Sequence, residues 1–404
     1  MSQNHVLQKL LSHYEPELRA RKLPVHQRRA IEAIVGCRTE RYGHTRYACE
    51  SGHGAIDVAH SCHHRSCRGC SNRAQHQWVE SQQRRLLDCP HFHVVFTLPS
   101  VYRVLWKYNR EWLGKLLFKS SRETLMSVLG STRFGGYQPG IIASLHTWGR
   151  QLNLHPHIHC LVTAGGLSGA GKWTESGEYL APGRVLREVY RAKVQAALKA
   201  ELRSGDLVLP PSESVGSVLK RIRQAYGVRW NVRVQTRYEH GKGVMLYLSR
   251  YIKGGPIRGA QITRLDARAI EFRYRDHRDG RIKTRSERPM EFLDRWLEHV
   301  PVVGTHTVRH FGLYAGASRR RRNQCRRELD PQSEMELAAF AIGSVQLRVI
   351  LLCKQCSHPM VIEHRTFGPS LQKGISLKKH QDRGGNVQQD EKGDFANTIC
   401  ASPP

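Results

Sequence analysis

Residues 154–162 read Leu-His-Pro-His-Ile-His-Cys-Leu-Val, with histidines at the alternate positions 155, 157 and 159. In an extended chain the side chains at i, i+2 and i+4 point to one face. Ile158, Leu161 and Val162 supply the β-branched and apolar character of a core strand. The stretch therefore predicts a buried strand on which His157 and His159 aim their ring nitrogens at one point. Imidazoles so placed suit a metal or catalytic site.

Charge points to a partner. Among 404 residues there are 64 Lys+Arg and 34 Asp+Glu, a formal charge of +30 spread along the whole chain. So positive a chain repels itself until something anionic neutralises it, and nucleic acid is the usual answer. Such binding releases counterions and is salt-sensitive. An anionic membrane is the other candidate, but the sequence holds no long apolar run and no signal peptide. A cytosolic protein facing DNA or RNA is expected, with no membrane and no small-molecule substrate. With 39% hydrophobic residues the chain can form two or three domains with cores.

Eleven cysteines without a secretion signal argue for metal ligation rather than disulfides. Five fall in one segment: Cys37, Cys49, Cys62, Cys67 and Cys70. Cys67-x2-Cys70 is the surest pair of a tetrahedral zinc site, and Cys49 with either His53 or Cys62 would complete it. Arg65, Arg68 and Arg73 surround the pair, favouring thiolates and reaching phosphate. Cys353-x2-Cys356 has only His358 and His364 nearby in sequence and receives no site.

Along the chain, residues 4–35 carry apolar positions at helical spacing, interrupted at Pro24. The cysteine segment spans 37–73, and a helix is expected over 75–87. His91–Leu98 reads as a strand ended by Pro99, 101–129 as a long amphipathic stretch, and 141–148 as a second strand. A helix over 183–203, a strand over 231–237 and a hairpin around Asp279-Gly280 follow. Beyond residue 330 periodicity fades, and a polar tail is expected to be disordered. There are no internal repeats.

A helix is also expected over 243–253. There Tyr247 and Tyr251, four apart, share one face beside Arg250 and Lys253. Paired phenols next to cations suit attack on a phosphodiester: the phenol loses its proton and the cations hold the phosphate. With two imidazoles on a divalent ion (Mg or Mn), this becomes a nicking mechanism that stores the bond energy as a 5′-phosphotyrosine. The third ligand would be His146, with His155 next and His91 or His93 remaining.

Together, HFHVVFTLP at 91–99, HTWGRQLNLHPHIHCLV at 146–162, Gly165–Leu167 with Trp173, and YLSRY at 247–251 resemble the rolling-circle, two-tyrosine transposases of bacterial insertion sequences. These are HUH endonucleases, in which U is a hydrophobic residue, here Ile158. The segment with Ser61-Cys62-x4-Cys67-x2-Cys70 resembles the zinc-binding domain that precedes their catalytic domain. Resemblance covers residues 25–330. One departure stands out: Cys49-Glu50-Ser51-Gly52-His53 occupies the place of a usual Cys-x2-Cys.

The resemblance implies an α+β fold in which an HUH-type antiparallel sheet is flanked by helices and preceded by a small zinc-binding domain. The expected division is a helical N-terminus with zinc domain (1–90), a catalytic domain (91–300), a basic region (301–365) and a tail (366–404). It implies nicking of single-stranded DNA ends and strand transfer, and leaves the oligomeric state open. Two other readings share parts of this pattern. One is a plasmid or phage replication initiator or relaxase with the same chemistry. The other is a zinc-dependent DNA-binding protein without catalysis.

Overall fold

The computed structural model describes residues 5–239, 255–276, 278–330 and 351–369. The helix expected over 243–253, with Tyr247, Arg250, Tyr251 and Lys253, lies outside the described residues.

The fold is mixed helix and antiparallel sheet. Helices α1 (Val6–His13), α2 (Glu15–Ala20) and α3 (Val25–Gly36) come first, then strands β1 (Gly43–Ala48) and β2 (Ala55–Ala59) and helix α4 (Arg68–Gln83). β3 (His91–Thr97), short α5 (Arg103–Trp106), α6 (Arg110–Leu129), β4 (Tyr137–Trp148), β5 (Leu154–Ser168) and β6 (Trp173–Glu175) follow. Next are α7 (Gly183–Ser204), α8 (Val215–Gly227), β7 (Val232–Tyr238), and a small sheet of β8 (Ile262–Leu265), β9 (Ile270–Arg275) and β10 (Ile282–Glu287). Helix Pro289–Leu297, β11 (Val308–Gly312), helix Arg319–Leu329 and β12 (Val361–Phe367) complete the described chain.

The central sheet runs β11-β4-β5-β3-β7, with β6 added beside β5. Its long β4–β5 hairpin joins the strands expected over 141–148 and 154–162, each extended at its outer end. Gly165 and Gly166 make the extension possible. A side chain at Gly166 would sit 2.1 Å from the Gln138 carbonyl oxygen, and one at Gly165 (φ 146°) would meet Thr174 and Trp173 of β6.

The period-two pattern sorts the sheet's faces. Phe92, Val94 and Phe96 of β3, Ile141, Ala143 and Leu145 of β4, and Ile158, Cys160 and Val162 of β5 are buried in one cluster with α6, α7 and α8. From the helices come Leu113, Leu117 and Leu125, then Leu186, Tyr190 and Leu198, then Ile222. Each Val, Leu, Ile or Phe among them contributes about 1.5–3 kcal/mol on burial. The same alternation sends the histidines to the opposite face.

A second core joins α1 and α3 to Cys67 and Cys70, to Phe272 of β9 and to Phe292 and Trp296 of helix Pro289–Leu297. The sequence predicted neither β1, β2, β11 nor β12. β11 extends the central sheet by pairing with β4, and β12 crosses back to the N-terminal domain to pair with β1. Residues 351–369, where periodicity fades, include strand β12. These are pairings between segments distant in sequence, which local pattern does not encode.

Candidate functional site

Antiparallel register builds the histidine cluster. His157 pairs with His146 of β4 and with Thr97 of β3, while His159 pairs with Ser144 and Val95. Residues directly opposite in antiparallel strands share a face, so His146, His157 and His159 converge. One ring nitrogen from each lies within 4.8 Å of the others. Nε2 of His157 is 2.9 Å from Nε2 of His159, and the rings of His146 and His159 lie 4.2 Å apart. Trp148 stacks on His146 at 5.2 Å.

Neighbours orient these rings. Nδ1 of His157 donates to the carbonyl oxygen of His155 at 2.6 Å. A neutral imidazole with its proton on Nδ1 keeps a lone pair on Nε2. Nδ1 of His159 contacts Nε2 of His93 at 2.7 Å, and His93 in turn hydrogen-bonds Gln235. When His159 donates to His93, the Nε2 lone pairs of His157 and His159 face each other. A cation between them resolves that repulsion.

Burial lowers the basicity of the cluster. It brings His157 down to about 4 and carries His146 and His159 well below the ordinary imidazole range, with the neighbouring imidazoles adding to the effect. Neutral imidazole is the form that ligates metal. The donor set fits a divalent ion held by three nitrogens.

The other histidines considered from sequence are not part of this trio, although the His155 ring packs 5.1 Å from that of His157. His155 contacts Arg103 at 3.2 Å. His91 is fully buried, bonded to the Cys89 carbonyl at 2.8 Å and to the Tyr314 hydroxyl at 2.7 Å. It ties β3 to the segment after β11. His93 is adjacent to the cluster but behind it.

The five cysteine-segment residues divide between two places, a correction to the single tetrahedron expected. Cys62, Cys67 and Cys70 gather with Cys37, and Cys49 and His53 lie instead with Cys353 and Cys356. In the first group Cys37 Sγ is 3.5 Å and Cys62 Sγ 3.7 Å from Cys70 Sγ. A disulfide needs about 2.05 Å. A tetrahedron with Zn–S bonds of about 2.3 Å has edges of about 3.8 Å. The Cys62 amide points at Cys37 Sγ and the His64 amide at Cys62 Sγ. Contacts from Cys37, then Cys62 and Cys67, hold the Cys70 thiol down, while contacts led by Cys37 push Cys62 and Cys67 up.

Cys37, to which the sequence alone assigns no role, stands 25 residues before Cys62. Backbone strain marks both: Arg38 (φ 57°) and His63 (φ 51°) adopt left-handed conformations beside the two ligands. The four thiols, buried or half-buried, are a donor set that fits zinc.

No helix among the described residues is long and apolar enough to cross a membrane. A family described as "Transposase zinc-binding domain" matches residues 6–98, and one described as "Putative transposase" matches residues 140–323. The chain is 33% identical over 317 residues to a protein described as "Putative transposase y4qJ" from Sinorhizobium fredii, covering 75% of this chain and 78% of that one. It is 31% identical over 292 residues to the transposase for insertion sequence element IS801 of Pseudomonas savastanoi pv. phaseolicola, covering 70% and 69%. No solved structure matches.

Proposed function

The chain belongs to the IS91-type family of insertion-sequence transposases, and from that premise we propose that it nicks single-stranded ends of its element through a covalent phosphotyrosine and transfers the strand. The observation that supports this reading is the convergence of His146, His157 and His159 on one face of a rigid sheet. In the proposed reaction the phenolic oxygen of Tyr247 or Tyr251 loses its proton and attacks the scissile phosphorus. The bond to the 3′ oxygen breaks as the bond to tyrosine forms, leaving a 3′-hydroxyl and a 5′-phosphotyrosine. Attack by a 3′-hydroxyl on that ester rejoins a strand and frees the phenol, without ATP.

A divalent cation on the three imidazoles supplies Lewis acidity toward the phosphate. Three nitrogen donors suit Mn better than Mg, which prefers oxygen ligands. The chain's own part is orientation and charge. The His155 carbonyl and His93 set the ring directions, burial keeps the imidazoles neutral, and Arg250 and Lys253 balance the phosphate. Two tyrosines allow one to open the donor strand and the other to handle the second strand. DNA is the partner, which puts the work in the bacterial cytoplasm at the nucleoid. The transposase relatives and the zinc-domain match favour this over a replication initiator with similar chemistry.

A labelled single-stranded element end, incubated with protein and Mn and run on a denaturing gel, tests the reading. The wild-type chain should give a protein–DNA adduct, and the double variant Tyr247→Phe/Tyr251→Phe none. Persistence of the adduct in that variant would place the nucleophile elsewhere.

A further inference from the structure

Cys49 and His53 sit in a tight turn between β1 and β2. The Gly52 amide bonds the Cys49 carbonyl and the Cys49 amide bonds the Gly54 carbonyl, both at 3.0 Å. Gly52 (φ 73°) and Gly54 (φ 123°) adopt backbone conformations that favour glycine. A second turn, some 300 residues later, has the same design. The Ser357 amide bonds the Cys353 carbonyl at 2.8 Å, and the Cys353 amide bonds the His358 carbonyl at 2.9 Å.

The two turns face each other. Cys49 Sγ is 3.6 Å from Cys356 Sγ and 3.6 Å from His53 Nδ1, which is 3.9 Å from Cys353 Sγ. All four donor atoms lie within 4.8 Å of one another. The sulfur separation is far from a disulfide and close to the edge of a zinc tetrahedron. Cys49 and Cys353 are buried against Met360.

The surroundings call for a fastening. β12 pairs with β1 from Gly43 to Ala48, but every residue of β12 is exposed, and Val361 and Ile362 keep 41% and 43% of their surface. The strand is thus held by its backbone pairing with β1 and by exposed ion pairs such as Arg46–Glu363, with little apolar burial, and a bound metal would add to that. The pairing ends at Ala48 and Val361, next to the facing turns.

We propose that Cys49, His53, Cys353 and Cys356 form a second structural zinc site that clasps the C-terminal segment onto the N-terminal zinc domain. Three thiolates and an imidazole are the soft donor set that selects zinc. With all four positions filled by protein the site is closed, hence structural. The zinc-domain match ends at residue 98, so the C-terminal half of the site lies beyond it.

Metal analysis of the purified full chain tests the site. Two zincs per chain are expected, with one left in Cys353→Ser/Cys356→Ser and two retained in His53→Cys. In the cobalt-loaded protein the thiolate charge-transfer band should fall from seven thiolates' worth to four in the double serine variant. Limited proteolysis should then release the C-terminal segment from that variant and not from the wild type. One zinc per wild-type chain, two in the double serine variant, or a Cys49–Cys356 disulfide in the unreduced protein would each overturn the proposal. Should the double variant fail to fold, the thiolate band of the cobalt-loaded wild type decides, seven thiolates' worth supporting the site and four overturning it, since a metal on the three imidazoles adds no such band.

Discussion

Nε2 of His93 lies 2.7 Å from Nδ1 of His159, and the two rings stack with centroids 4.9 Å apart. β3 thereby supplies a brace for a ring on β5. A partner on the second nitrogen of a metal-binding imidazole sets its tautomer and direction.

Replacing that brace should therefore weaken metal use without destroying the fold. For His93→Ala we expect the Mn concentration for half-maximal nicking to rise about 10–100-fold. His93→Gln, able to keep one hydrogen bond, should lie between. Unchanged Mn dependence in both variants would show that His93 only packs.

Removing the proposed ligands should separate chemistry from binding. His157→Ala/His159→Ala should abolish nicking of a single-stranded end, while DNA affinity stays within a few-fold of wild type. Affinity in a chain of charge +30 rests on many Lys and Arg contacts. Gel-shift and cleavage assays on the same oligonucleotide measure both, and full Mn-dependent cleavage by the variant would refute the assignment.

Cys37 should matter as much as the Cys-x2-Cys pair. Cys37→Ser and Cys67→Ser should each release the zinc of the four-cysteine site and loosen the N-terminal domain, since a structural zinc contributes folding energy directly. Zinc content and circular dichroism report on this. A Cys37→Ser chain with wild-type zinc content would remove Cys37 from the site.

Acid should destabilise the chain through its buried histidines. Burial lowers His91 and His299 to about 4 from 6.5 in the unfolded chain. Below 6.5 the unfolded state takes up protons that the folded state refuses, so the stabilisation present above 6.5 is lost as pH falls toward 4. Each group contributes about 1.4 kcal/mol per pH unit in that window. Melting temperature should fall between pH 6.5 and 4, less steeply for His91→Gln than for wild type. Parallel slopes for the two proteins would contradict the role given to His91.

Local pattern and tertiary contact divided the information cleanly. Alternation over 154–162 determined that His157 and His159 share a face, because strand geometry turns a period of two into sidedness whatever the rest of the chain does. Short spacing likewise brought Cys62, Cys67 and Cys70 together, since a tight turn spans only a few residues. For the third ligand, sequence ranked His146 first, with His155, His91 and His93 behind it, and left open which flanking strands would face the pair; it gave no role to Cys37 at the end of α3, nor to Cys353 and Cys356 opposite Cys49 and His53. Those choices depend on which strands pair and in what register. Antiparallel β4–β5–β3 pairing placed His146 and His93, and the return of β12 to β1 decided the last, across about 300 residues that carry no local trace of it.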